Sequence, residues 1–187
     1  AARGEATAAR KAFAALESQG VEPNVVTLNV LAQASARHGD VAAVADALAG
    51  LAARRLQPDV VSFNTLMAAR ARGGDTVGTE AAMQDLLQSG LEPNIISFTT
   101  VVRAHAVAGD SAGAIAAFRA IRAAHLEPNL FSYNTLLEAH AAAGDAAAAQ
   151  SLLAHLLRKP PTGGRADVVS CNTALKACAR AAASAAA

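Results

Sequence analysis

Four prolines, Pro23, Pro58, Pro93 and Pro128, stand 35 residues apart, and four glycines, Gly39, Gly74, Gly109 and Gly144, keep the same step. Each glycine is followed by an aspartate: Asp40, Asp75, Asp110 and Asp145. Apolar columns share the period, with Phe13, Leu48, Met83, Phe118 and Leu153 in one and Leu16, Leu51, Leu86, Ile121 and Leu156 in another. The two columns lie three residues apart, which is one face of a helix. A fixed period of this length means one supersecondary unit, copied, that cannot bury its apolar face alone and does so by stacking on its neighbours.

Each unit reads as two helices. Glycine after a periodic segment stops a helix, and the aspartate behind it can cap the next one by accepting backbone N–H groups. The spacing predicts a first helix such as Val25 to His38, a tight Gly-Asp turn, and a second helix such as Val41 to Arg55. Proline then closes the unit, because it cannot continue a helix and biases the preceding residue toward extended backbone. The Asp or Asn after it sits at the mouth of the next unit's first helix. Four units result, 25–59, 60–94, 95–129 and 130–167, the last carrying three extra residues in RKPPTGGRAD. Residues 1–24 read as the rear of an earlier unit, with Gly4-Glu5 in the place of Gly-Asp, and 168–187 as the front of another. The predicted fold is all-α: an α-solenoid superhelix of antiparallel helix-turn-helix repeats, a single array over 1–187.

Composition narrows the function. The net charge of +1 argues against nucleic-acid binding through bulk positive charge, so any such affinity rests on local placement. The 53% hydrophobic content is mostly alanine and aromatics are 3%, which argues against a large aromatic core. Polar residues interrupt every apolar stretch before the roughly 18 residues a membrane span needs. Cys171 and Cys178 share a helix face and are two thiols only, too few for a metal site. The chain begins at Ala1 without methionine and ends in an alanine run, so a fragment is expected, with any targeting segment outside it.

The unit starts VVTLNVL, VVSFNTL, IISFTTV, LFSYNTL and VVSCNTA, with (L/V)(E/Q)P(D/N) at three complete unit ends and at the end of the partial first unit, resemble the pentatricopeptide repeat family over essentially the whole chain. Tetratricopeptide repeats have a 34-residue period and favour Trp and Tyr in the first helix. This chain has no Trp, one Tyr and no drift in register.

Within a unit, position 2 (Val26, Val61, Ile96, Phe131, Val169) and position 5 (Asn29, Asn64, Thr99, Asn134, Asn172) are three apart and share a face. Positions 4 and 7 are bulkier and are expected in the core. A polar group beside an aliphatic one, once per unit, suits a concave surface that meets a periodic polar ligand. The family resemblance implies that this ligand is single-stranded RNA, read one base per repeat. It further implies that position 5 and the unit's last residue hydrogen-bond the base edge, while position-2 residues of successive units sandwich the base. Amides and carboxylates can present different donor and acceptor patterns to different bases. The family's pairing rule gives U for Asn29 with Asp59, C or U for Asn64 with Asn94, A for Thr99 with Asn129, and U for Asn134 with Asp167. Asn24 and Asn172 are base-reading positions of incomplete units. The implied footprint is U-C/U-A-U. The resemblance also implies RNA-backbone contacts by basic residues at position 13, which Arg37, Arg72 and Arg180 fit, whereas Val107 and Ala142 depart from that pattern.

No catalytic residues, cofactor or metal ligands are expected. His105 and His140 occupy equivalent repeat positions, the zinc deaminase signature is missing, and the paired glycines belong to a turn and to the insertion. The family resemblance implies chloroplast or mitochondrion, RNA processing, stabilisation or translation, and organellar ribosome or RNA-processing proteins as further partners. Two alternatives are a protein-binding or ribosome-associated helical-repeat scaffold, and the binding part of a larger enzyme.

Overall fold

The computed structural model describes residues 2–185, with side chains from 7 to 184. Ten helices lie among the described residues: α1 (Ala2–Ser18), α2 (Val25–Ala36), α3 (Val41–Ala53), α4 (Val60–Arg72), α5 (Thr76–Gln88), α6 (Ile95–Ala108), α7 (Ser111–Ala123), α8 (Leu130–Ala143), α9 (Ala146–Arg158) and α10 (Val168–Ala185). No described helix is long and apolar enough to cross a membrane.

The punctuation residues act as the period predicts. Asp40, Asp110 and Asp145 cap α3, α7 and α9, accepting from the N–H groups of Ala43 (3.0 Å), Gly113 (2.9 Å) and Ala148 (3.0 Å). Asn24, Asp59, Asn94 and Asn129 cap α2, α4, α6 and α8. Each such cap contributes about 1 kcal/mol. Gly109 and Gly144 close α6 and α8 at φ of 75° and 70°, a left-handed conformation that costs a side chain and suits glycine.

Helix ends differ from expectation in two places. The first-unit helices stop at Ala36 and Ala53. Arg37 and Arg54 are their C-caps, and the residues beyond turn back through Gly39 and Arg55, both at positive φ. Gly4-Glu5 makes no turn: both lie inside α1, where no aspartate follows the glycine to cap a new helix. At the other end α10 runs for 18 residues, because Ala182 and Ala183 stand where Gly-Asp would stop it.

The chain divides into two compact units, Ala1–Gly73 with Val77–Pro93, and Gly74–Thr76 with Asn94–Ala187. In the first, α2 packs on α1, α3 and α4, and α3 also meets α4. In the second, α6 packs on α7 and α8, and α8 packs on α7, α9 and α10. The second unit's core joins Val102, Phe118, Ile121, Tyr133, Leu137 and Leu156 with small alanines. Two columns without exposed surface were not singled out by sequence: Ala32, Met67, Val102 and Leu137 at position 8, and Val44, Thr79, Ala114 and Ala149 at position 20. Alanine and threonine let paired helices approach closely.

Candidate nucleic-acid interface

Each first helix presents position 2 outward. Val26, Val61, Ile96, Phe131 and Val169 are 66%, 44%, 60%, 62% and 53% exposed, although each is apolar. Apolar side chains exposed at the same position of every repeat are not part of the folded chain's own core. Behind them the threonines at position 6 tie the helix to itself. Thr65, Thr100 and Thr135 hydroxyls donate to the carbonyls of Val61, Ile96 and Phe131 at 2.7, 2.7 and 2.9 Å.

Position 5 departs from the expected open polar row. Asn29, Asn64 and Thr99 are buried, with exposures of 4%, 9% and 2%, and Asn134 is half-buried. Within its own repeat each forms a floor beside the exposed position-2 side chain. In the first unit the Asn29 amide donates to Asp59 Oδ1 at 3.0 Å, so position 5 and the last residue of its repeat do meet. The Ser62 hydroxyl completes the cluster, 2.7 Å from Asn29 Oδ1 and 2.9 Å from Asp59 Oδ1. Asp59 also takes the Ser62 N–H at 2.9 Å. Burial pushes the Asp59 carboxyl up, but these hydrogen bonds from Ser62 and Asn29 together outweigh it and hold it below the ordinary carboxylate value.

The same cluster recurs in the second unit across the insertion. The Asn134 amide lies 3.5 Å from Asp167 Oδ1, and the Ser170 hydroxyl is 2.6 Å from Asn134 Oδ1 and 3.0 Å from Asp167 Oδ1. Asp167 is held below its ordinary value first by the Ser170 N–H and then by its hydroxyl. The three extra residues therefore loop out and leave Asp167 where Asp59 stands in its own repeat. Thr99 and Asn129 do not bond directly here. Ser132 bridges them, its hydroxyl 2.9 Å from each side-chain oxygen. Serine at position 3 (Ser62, Ser97, Ser132, Ser170), fully buried in each case, was not among the sequence-derived site residues. Its signal was present in the VVSFNTL-type strings, as a small hydroxyl once per unit.

Within the second unit one cleft joins residues of two successive repeats, a candidate groove slot. This cleft of about 520 Å³ is lined by Phe131 and Val169, position-2 residues of successive repeats, together with Asn134, Asp167, Arg103 and Gly163. Arg103 is one further cation that the position-13 pattern did not include. Of the position-13 arginines, Arg37 and Arg72 are exposed at the ends of their helices. Arg180 is exposed and donates to the Ala141 carbonyl at 2.9 Å. Asn24 caps α2 and Asn172 is exposed on α10. Among the described residues no group of three or more His, Cys, Asp or Glu is placed to hold a metal.

A family model described as the pentatricopeptide repeat domain matches residues 11–72 and 82–153. The chain belongs to the pentatricopeptide repeat family. Among solved structures, this pentatricopeptide repeat chain is similar to the pentatricopeptide repeat protein PPR10 in complex with an 18-nt psaJ RNA element. Identity is 22% and the TM-score 0.53, over 93% of this chain and 30% of that one. It is also similar to the PPR domain of Arabidopsis thaliana protein-only RNase P 1 in complex with tRNA. There identity is 13% and the TM-score 0.69, over 94% of this chain and 91% of that one. These likenesses show the fold, an all-α solenoid of helical hairpins. The chain spans less than a third of the PPR10 chain's length. No curated protein sequence matches it.

Proposed function

We propose that this chain binds single-stranded RNA sequence-selectively, one base per repeat, with the footprint U-C/U-A-U, and acts by occupying a transcript segment in a chloroplast or mitochondrion. The observation that carries the reading is the slot at Phe131 and Val169. Two exposed apolar side chains suited to a base's faces line it together with an Asn134–Asp167 pair suited to a base's edge. Relatives solved with an 18-nt RNA element and with tRNA give the reading its family context. Base reading at Asn29 and Thr99 asks the incoming edge to take over hydrogen bonds now made within the repeat. The floor groups remain satisfied with or without ligand, so the exchange costs little more than the bonds it replaces.

The burial of Asn29 and Thr99 favours one other use of the same face. A protein helix laid along the exposed position-2 row needs none of the floor groups, which is the helical-repeat scaffold reading, with organellar ribosome or RNA-processing proteins as partners.

Fluorescence anisotropy with oligonucleotides that contain UCAU or its scrambled order separates the two. Base reading predicts tighter binding of UCAU, and a loss of about fivefold or more in Phe131→Ala, since stacking on an aromatic contributes about 1–3 kcal/mol per base. Equal affinity for every sequence supports the scaffold.

A further inference from the structure

The insertion that lengthens the 130–167 repeat is a folded loop. The Leu130 N–H donates to the Thr162 carbonyl at 3.1 Å, and the Thr162 hydroxyl donates to the Pro128 carbonyl at 3.4 Å. Pro160 and Pro161 restrict its backbone further. Pinned against Pro128, the loop walls a second cleft, also of about 520 Å³, that shares no lining residue with the groove slot.

Four basic side chains from three elements and a link line this cleft: Arg122 on α7, His125 in the α7–α8 link, His155 on α9 and Lys159 in the loop. Glu127 is the one acid among the lining residues. The support under them is rigid. Tyr133, only 6% exposed, packs on Phe118 with ring centroids 5.0 Å apart, and its hydroxyl accepts from Arg122 at 3.0 Å. The His155 ring lies 6.2 Å from the Tyr133 ring. One N–H of Arg122 is thus used for orientation, while a guanidinium carries five.

His125 adds an independent observation. Its φ is 57°, and the equivalent position of two other repeats is glycine, Gly20 and Gly90, at 74° and 73°. A side chain in this conformation costs about 1–2 kcal/mol. Local stability alone selects glycine there, and backbone strain retained at a cleft residue is a mark of a used side chain. Arg55 holds the same position at φ 55° in the first repeat, and Pro160 stands there in the repeat with the insertion.

From this cluster we infer a second binding site for a phosphate group, carried by a free nucleotide or by RNA outside the repeat groove. A guanidinium and an ammonium around one cleft supply charge, two imidazoles beside them add N–H donors that phosphate oxygens accept, and the prolines offer apolar surface to whatever the phosphate carries.

Inorganic pyrophosphate titrated into the protein, followed by the imidazole NMR resonances, tests the site. Saturable shifts of His125 and His155 are expected. Affinity, read on His155, should fall at least tenfold in His125→Gly/Lys159→Gln and stay unchanged in Phe131→Ala. His125→Gly relieves the left-handed strain, so this variant melts no lower than the parent and weakened binding in it cannot come from unfolding. No saturable shift, or undiminished affinity in the double variant, overturns the site. Competition distinguishes the sources: displacement of pyrophosphate by adenosine 5′-monophosphate assigns a free nucleotide. Displacement only by a UCAU oligonucleotide extended at both ends assigns the strand.

Discussion

Asp59 accepts the Ser62 N–H, the Ser62 hydroxyl and the Asn29 amide on one oxygen. Capping a helix and meeting position 5 are therefore a single piece of chemistry, and Asp or Asn at the end of each complete repeat has a structural reason to be there whether or not RNA binds. Asp59→Ala removes the cap, at about 0.5–2 kcal/mol. It also leaves the buried Asn29 amide short of an acceptor, while the Ser62 hydroxyl keeps Asn29 Oδ1 at 2.7 Å, at about 1–3 kcal/mol more. Chemical denaturation should show a total loss of about 2 kcal/mol or more. Asp59→Asn keeps an oxygen in place, as Asn94 and Asn129 do in their repeats, and should cost less than about 1 kcal/mol.

At the scale of helices, substituting glycine inside one usually stabilises, yet Gly113 in α7 is an exception. A Cβ there overlaps His105 Nδ1 and Asp110 Oδ2, the two atoms whose 2.9 Å contact joins the end of α6 to the cap of α7. Gly113→Ala should lower stability by about 1–3 kcal/mol through overpacking, against the gain of about 0.5–1 kcal/mol that helix propensity alone gives. In a His105→Ala background the same change should cost less, since only the Asp110 carboxylate then has to turn aside, and a double-mutant cycle measures that coupling. Features like this mark where sequence reading stops. Helix starts, Gly-Asp turns and capping positions were legible because each depends on residues within one turn of the chain. The serine bridge at Ser132 and the cleft at Arg122 and Lys159 were not, since they depend on how far one hairpin slides over the next, and Asn134 was paired with Asp167 through the family resemblance without their direct hydrogen bond being foreseen. Burial of Asn29 was hidden for the same reason: periodicity shows that positions 2 and 5 share a face, not which one reaches water.

Across the whole molecule, stability should respond to acid in two steps. Burial lowers the His140 value below 6.5, with Asp145 partly opposing it. The unfolded chain then takes up a proton that the folded chain refuses. The stability this residue contributes is complete above pH 6.5 and is lost as pH falls through its folded value. Asp59, Asp110 and Asp167 sit below 3.8, so their contribution is complete above that pH and is lost as pH falls through their folded values. Melting temperature against pH should be flat above 6.5, decline below it, and decline again below 3.8. His140→Asn should remove the first decline. The central claim, that each repeat reads its own base, is tested most directly by Thr99→Asn, with base preference measured at every position of UCAU. Preference at the third position should move from A toward C while the other three stay as they were. An unchanged third position, or a loss of affinity equal for all sequences, contradicts base reading by the repeat.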